Sequence, residues 1–172
     1  MQLSRSLTKV LLLSPLAVRS FTPALPHRAF TTARFMSTDG GYNRKPGVSA
    51  PSEIRDFVTS NPGSVIVVDA RNPDFTIEPG DAKSSSKAPL AGSTPGYRPN
   101  SVNLVFDRVA KGMDLKPLED MGAEKTTPII THCGGGGRGQ KAKDFLIANG
   151  YTNVINGGGP EDSDCWAEFG SI

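Results

Sequence analysis

The sequence predicts an α/β domain with a central parallel sheet and helices on both faces, and three observations support this. Short β-branched apolar runs, at residues 65–68 and 128–131, have the composition of strands that are buried on both faces. Segments with helical periodicity alternate with these runs along the chain. The length of 172 residues is that of a single domain with a sizeable core. Alternating strands and helices are typical of a parallel sheet covered on both sides.

Two helices are expected, one before the first strand and one after the third. Residues 52–59 have apolar positions on one face, and Ser52 is a candidate N-cap. Residues 140–149 form a second periodic segment, and Gly150 suits the position just past a helix end. The apolar residues on the inner faces of these two segments are Ile54, Phe57, Val58, Ala142, Phe145 and Leu146.

Four strands are expected, at residues 65–68, 102–105, 128–131 and 153–155. Ligands of such sheets bind beyond the carboxyl ends of the strands, and Cys133 follows the third strand at that position. Residues 76–95 are rich in serine and proline and have no period. They predict a long inserted loop, for which disorder is favoured over a functional flap.

The first 38 residues have the composition of an organelle targeting peptide. They contain no aspartate or glutamate, five basic residues and many serines and threonines. This pattern favours import into the mitochondrial matrix, with a plastid as the alternative. Residues 39–50, rich in glycine, serine, asparagine and proline, predict a linker. The folded domain is therefore expected over residues 51–172.

Composition argues against several classes of function. The net charge of +2 and the lack of a basic stripe with interleaved aromatics predict no nucleic-acid partner. The apolar run at residues 10–18 is too short to span a bilayer, so no membrane span is expected. Two cysteines and two histidines do not make a disulfide framework or a zinc pattern. No metal and no cofactor are predicted.

The segment most informative about function is the cysteine loop, residues 133–138. Cys133 is followed by Gly134, Gly135, Gly136 and Gly137, and then by Arg138. Consecutive glycines let backbone N–H groups turn inward and form an anion-binding nest. The helix expected just after the loop adds its positive N-terminal end at the same place. Such a setting favours the thiolate, which is the nucleophilic form of cysteine.

The spacing within the loop separates two kinds of cysteine chemistry. Four residues lie between Cys133 and Arg138, whereas cysteine phosphatases have five in order to wrap a phosphate. The shorter loop resembles the active-site loop of the rhodanese (thiosulfate sulfurtransferase) family, with Gly136 and Arg138 at matching positions. Ser or Thr usually follows the arginine, and Gly139 is a departure that removes one hydroxyl. A phosphatase or arsenate reductase stays open as a third possibility.

The resemblance to this family extends over roughly residues 52–170. The first strand ends in an Asp-x-Arg signature at Asp69 and Arg71. Residues 96–104 resemble the family's Gly-His-Ile-Pro-Gly-Ala-x-Asn motif, and three positions depart from it. Residues 150–156 are similar to the closing strand, followed by a matching glycine pair and tryptophan. The departures and the last matches are Tyr97, Arg98, Asn100, Gly158, Gly159 and Trp166. The resemblance implies a rhodanese-like fold in a single domain.

By that resemblance the chain is a sulfurtransferase without a cofactor, with Cys133 as the catalytic residue and sulfur carrier. Donors would be thiosulfate or a persulfide such as glutathione persulfide, and acceptors would be cyanide, glutathione or a protein thiol. Because the cysteine loop carries no charge except Arg138, a bulkier organic persulfide is favoured over thiosulfate. The alternative from a different class is a non-catalytic or regulatory rhodanese-like module that binds a protein partner.

Several residues near the loop have two interpretations. Arg138 either binds the anionic donor or pairs with an acid to hold the loop. Asp69 and Arg71 are expected to form a structural ion pair beside the site. His132, on the strand, is expected to point away from the loop, since successive strand side chains alternate in direction. Cys165 is either a buried thiol or a resolving cysteine for Cys133.

Overall fold

The computed structural model describes residues 43–90 and 101–172 of the chain. The described residues form four strands and five helices that alternate along most of the sequence. In chain order they are α1 (Pro51–Ser60), β1 (Ile66–Asp69), α2 (Gly80–Ser85), β2 (Ser101–Asn103), α3 (Lys116–Asp120), β3 (Ile129–His132), α4 (Gly137–Ala148), β4 (Val154–Asn156) and α5 (Ser163–Phe169).

The strands form one sheet in the order β2-β1-β3-β4, and every neighbouring pair is parallel. In the register of the central pair, Val67 lies opposite Ile130 and Asp69 lies opposite His132. The carboxyl ends of β1 and β3 therefore lie side by side at one edge of the sheet. The predicted α/β fold with a parallel sheet is confirmed.

Helices cover both faces of the sheet. Residues at β1 pack into two separate hydrophobic cores, one on each face. Ile66 and Val68 face one core, and Val65 and Val67 face the other. The first core is completed by α3 and α4, and the second by α1 and α5. The main helix residues in these two cores are Leu118, Leu146, Ile54 and Phe169. Burial of apolar side chains on both faces of the strands is the main force that stabilises this arrangement.

Two helix starts differ from the prediction. Helix α1 begins at Pro51 with Ala50 as its N-cap, so Ser52 does not cap it. Proline suits the first helical turn, and the Glu53 carboxylate accepts a hydrogen bond from the Ala50 N–H at 2.9 Å. Helix α4 begins at Gly137, three residues earlier than expected. Glycine is a weak helix former, so only the surrounding contacts place it in the first turn.

The segment at residues 76–95 was expected to be an unstructured loop, and its described part is not. Residues 80–85 form α2, and Asp81, Ser84 and Ala88 are buried. The ordering comes from polar contacts with distant residues, above all with two arginines of the site. Residues 91–95 lie outside the described part of the chain.

The segment before the domain also differs from the expected linker. Ser49 donates its backbone N–H to the Asn156 carbonyl at 2.9 Å, and Val48 packs against the core that α1 and α5 complete. Residues 43–50 are thus packed on the domain. The targeting peptide at residues 1–38 and the motif positions at residues 96–100 lie outside the described residues. None of the described helices has the length and hydropathy needed to cross a bilayer.

Candidate active site at the carboxyl edge of the sheet

Cys133 lies directly after β3, between the sheet edge and the start of α4. Its backbone N–H donates to the Gly158 carbonyl at 3.0 Å, which fixes the chain as it leaves the strand. Its sulfur accepts a hydrogen bond from the Gly136 N–H at 3.2 Å. Helix α4 has 12 residues and starts at Gly137, so its positive end is beside the sulfur. The residue is buried, with 5% of its surface exposed.

The glycine run of the cysteine loop is held by close neighbours. Gly136 has φ +92°, a left-handed angle that glycine adopts without strain, and a Cβ there would collide with the Val48 side chain. A Cβ on Gly134 would lie 2.9 Å from a Glu161 carboxylate oxygen and 3.1 Å from the Ser84 hydroxyl. Because glycine has no side chain, these neighbours can pack closely against the loop and hold it. A loop that is already ordered loses less conformational entropy when a ligand binds.

Asn156, at the end of β4, holds the cysteine loop in place through hydrogen bonds of its side-chain amide. Its amide nitrogen donates to the Gly136 carbonyl at 3.0 Å, and its amide oxygen accepts from the Gly158 N–H at 3.1 Å. The side chain is fully buried, and it occupies the space beside Gly139. A Cβ on Gly139 would lie 2.6 Å from the Asn156 amide oxygen. The resembling family usually has a serine or threonine hydroxyl at position 139. Here Gly139 leaves that space to the side-chain amide of Asn156 from β4.

Replacing Gly139 by serine should therefore lower stability by about 1–3 kcal/mol, because the added atoms enter filled space. The same change should slow any reaction of Cys133, since it displaces the amide that orders Gly136. Urea unfolding and the rate of Cys133 alkylation would measure the two effects. The matched control is Gly137→Ser, where the nearest atom to an added Cβ is 3.8 Å away. A Gly139→Ser variant as stable and reactive as Gly137→Ser would contradict this role of Asn156.

Arg138 connects the cysteine loop to the inserted segment. Its guanidinium pairs with the Asp81 carboxylate of α2 and with Glu78, the latter at 2.7 Å. Burial lowers the pKa of Arg138, but the hydrogen bond to Asp81 and the charges of Asp81, Cys133 and Glu78 raise it by more. Its Nε is buried and has no hydrogen-bond partner among the described residues. The guanidinium thus holds the inserted segment against the cysteine loop.

Asp69 and Arg71 form the expected ion pair, and both side chains are fully buried. The Arg71 Nη2 lies 2.5 Å from an Asp69 carboxylate oxygen. Arg71 also donates to the carbonyls of Ala88 and Pro89, at 2.9 and 3.1 Å. The pair therefore joins the end of β1 to the inserted segment that carries Asp81.

His132 and Cys165 both lie away from the cysteine loop's open side. The His132 ring packs against the rings of Trp166 and Phe169, with centroids at 5.3 and 5.7 Å. Cys165 is fully buried, and burial with the nearby Asp162 carboxylate raises the pKa of its thiol to about 12. Neither residue lines the cavity at Cys133. Cys165 is therefore poorly placed to resolve a modified Cys133.

A cavity of about 340 Å³ opens over Cys133, and charged side chains line it. The cations are Lys45, Arg108, Arg138 and Lys141, and the acids are Asp81 and Glu161. The expectation of a loop with no cation except Arg138 nearby is therefore wrong. Lys45, Arg108 and Lys141 come from three separate segments, which the sequence does not place together. The lack of cations that favoured an organic persulfide over thiosulfate is not observed in the structure.

Glu161 is the acid closest to the glycine run. Its carboxylate oxygens lie 2.9 and 2.5 Å from the positions that a Cβ on Gly134 and on Gly135 would take. The Lys45 ammonium is 3.3 Å from the same Gly135 position. The Glu161 backbone N–H donates to the Gly134 carbonyl at 3.0 Å, which fixes the base of this side chain. A carboxylate and an ammonium thus lie side by side over the cysteine loop.

Sequence reasoning missed five residues that shape this site, namely Lys45, Asp81, Arg108, Asn156 and Glu161. Lys45 and Asp81 fall in segments taken as a linker and a disordered loop, and the other three were given no role in the site. Only Asn156 had a usable signal, since a polar residue at the carboxyl end of a parallel strand is a candidate site residue. Within residues 43–90 and 101–172, no cluster of three or more histidine, cysteine or acidic side chains is arranged to hold a metal.

Comparison with known proteins gives one family match. The family model described as Rhodanese-like domain matches residues 59–159, which is more than half of the chain. Among solved structures, the chain resembles "Atomic resolution structure of uncharacterized protein from Saccharomyces cerevisiae". The identity is 18%, the TM-score is 0.41, and the alignment covers 73% of this chain and 92% of the other. A comparison with curated protein sequences gives no match.

Proposed function

The chain belongs to the rhodanese-like domain family, and from this premise we propose that it is a sulfurtransferase that carries sulfane sulfur on Cys133. The observation that carries the proposal is the position of the Cys133 sulfur. It accepts the Gly136 N–H at the start of α4 and opens on a cavity with four cations. A thiolate in this place can attack an anionic sulfur donor. The Gly136 N–H and the surrounding cations can then stabilise the anionic persulfide that forms on Cys133.

In the first step the Cys133 thiolate attacks the outer sulfur of thiosulfate. A bond forms between the cysteine sulfur and that outer sulfur, and the bond between the two donor sulfurs breaks. Its electron pair leaves with sulfite, and Cys133 is left as an anionic persulfide. An organic persulfide would react in the same way and release its thiolate.

In the second step a thiophilic acceptor attacks the terminal sulfur of the persulfide and returns Cys133 to the thiolate. Cyanide would leave as thiocyanate, and glutathione or a protein thiol would leave as a persulfide. The two steps need no cofactor. Import of the chain into the mitochondrial matrix, with a plastid as the alternative, stays a prediction, as do the absence of a nucleic-acid partner and of a membrane span.

Intact-mass measurement of the 172-residue chain tests the proposal. After thiosulfate or a persulfide donor, the mass should rise by one sulfur atom (about 32 Da), and cyanide should reverse the gain. Peptide mapping should place the added sulfur on Cys133. If no donor produces a gain, the alternative of a non-catalytic protein-binding module is favoured instead.

Glu161 should influence the choice of donor, because its carboxylate lies where a donor anion must approach. Replacing it by glutamine should raise kcat/KM for thiosulfate, a dianion, by roughly threefold to tenfold, since it removes a like charge at short range. The gain should be smaller for benzenethiosulfonate, which carries a single negative charge. Thiocyanate formation in the presence of cyanide measures both rates.

Asp164→Asn is the matched control for this change. It removes a carboxylate from the same stretch of chain, at an exposed position that does not line the cavity. An equal gain with both donors, or the same gain in Asp164→Asn, would contradict a specific role for Glu161.

A further inference from the structure

A second cavity lies beside the one at Cys133. This groove, of about 360 Å³, is bounded by Phe106 and Phe145, Arg108 and Lys111, and Lys141 and Asp144. Arg108 and Lys141 line both cavities, so the groove and the cysteine cavity share part of their walls. The groove and the cysteine cavity are therefore immediate neighbours. A volume of this size suits a small molecule rather than a protein segment.

The groove combines an aromatic floor with a cationic rim. The rings of Phe106 and Phe145 meet edge to face, with centroids 6.4 Å apart. Three cations surround this floor, of which Arg108 pairs with Glu78 at 3.4 Å. The acid that lines the groove, Asp144, accepts a hydrogen bond from Gln140 at 2.8 Å. Among the described residues, none forms an ion pair with Lys111 or Lys141. The net positive charge is thus available to carboxylates of a ligand.

Arg108 and Lys111 stand on a rigid turn between Asp107 and Gly112. The backbones of these two end residues exchange hydrogen bonds at 2.8 and 3.2 Å. The Asp107 carboxylate accepts the N–H groups of Val109 and Ala110, at 2.7 and 2.9 Å. Lys111 has φ +53°, an angle that few residues other than glycine adopt. Because the turn is fixed by these bonds, the backbone positions of the two cations are set before any ligand binds.

We propose that this groove is the acceptor subsite, and that it binds a small peptide-like thiol that carries two or more carboxylates. The inference rests on the proposed function and adds the place in the fold where a carboxylate-bearing thiol acceptor binds. The carboxylates contact Lys111, Lys141 and Arg108, and the backbone of the thiol lies on the two phenylalanines. Its thiol sulfur attacks the terminal sulfur of the anionic Cys133 persulfide, and the proton of the thiol passes to that terminal sulfur. The new S–S bond is in the released persulfide, and the electron pair of the broken bond stays on the Cys133 thiolate.

Lys111 is the residue that tests the subsite, because it lines the groove and not the cysteine cavity. The first readout is calorimetric titration of the 172-residue chain with S-methylglutathione, a thioether that cannot accept sulfur. We expect Lys111→Gln to raise its Kd about fivefold. Lys111→Arg should restore binding, and Lys143→Gln, on the same helix as Lys141 but outside the groove, should leave it unchanged. Added salt should weaken binding to the wild type.

The second readout is the rate at which a preloaded Cys133 persulfide is discharged. Lys111→Gln should slow discharge by glutathione about fivefold and leave discharge by neutral 2-mercaptoethanol unchanged. The inference is overturned if the variant binds S-methylglutathione like the wild type, or if both thiols slow equally. Binding is measured without sulfur transfer, so a chain that binds through Lys111 but never gains sulfur would count against the proposed function and leave the subsite standing.

Discussion

Replacing Cys133 by serine should abolish sulfur transfer, by about 10³-fold or more, and leave the fold intact. A serine oxygen cannot form the persulfide that carries sulfur between the two steps. The Cys133 sulfur accepts one hydrogen bond from the Gly136 N–H, and a serine hydroxyl can accept the same bond. Thiocyanate formation from thiosulfate and cyanide measures the loss, and the urea unfolding midpoint checks the fold.

Cys165→Ala is the control for this variant, since Cys165 is the other cysteine of the chain. With its pKa raised to about 12 by burial, the Cys165 thiol is ionised to only about one part in 10⁴ at pH 8. Transfer should therefore persist when it is removed. If Cys133→Ser kept its activity and Cys165→Ala lost it, the nucleophile would be the buried thiol and the proposed site would be wrong.

Replacing Asp69 by asparagine should lower the free energy of unfolding by about 3–5 kcal/mol, because it leaves the buried Arg71 guanidinium without a counter-charge. The inserted segment should loosen as well, since Arg71 also binds the carbonyls of Ala88 and Pro89. Urea unfolding followed by the fluorescence of Trp166, the one tryptophan, measures the loss. The control is Glu168→Gln, which breaks an exposed pair with Arg55 and should change little.

The same carboxylate gives a pH dependence that the variant should lack. Burial raises the pKa of Asp69, but the charge of His132 and the hydrogen bonds and charge of Arg71 lower it by more, so the folded value lies below 3.8. Its contribution to stability is present above pH 3.8 and is lost as the pH falls through the folded pKa. If Asp69→Asn has the stability of the control, or the acid sensitivity of the wild type, the pair does not support the fold as proposed.

The local sequence pattern was sufficient to predict the strands and the position of Cys133. The β-branched runs at residues 65–68 and 128–131 contain most of β1 and β3 because residues buried on both faces need little context to be recognised. The cysteine loop follows β3 directly, so its place at the sheet edge follows from the α/β pattern. The sequence did not predict the early start of α4, because Gly137 and Gly139 in its first turn have low helix propensity. The contacts that order these glycines come from distant parts of the chain.

The sequence by itself determined the parallel α/β fold and the family, and it predicted Cys133 as the residue that carries the chemistry, because each depends on short motifs and their order. Only the tertiary structure decided what surrounds Cys133. Lys45, Asp81, Arg108 and Glu161 come from segments far apart in the chain, and they meet at the cavity because the sheet and its helices place their backbones there. Long-range contacts of this kind leave no local pattern, since each residue alone has the composition of an ordinary turn or surface. The charge around the sulfur is therefore a property of the fold.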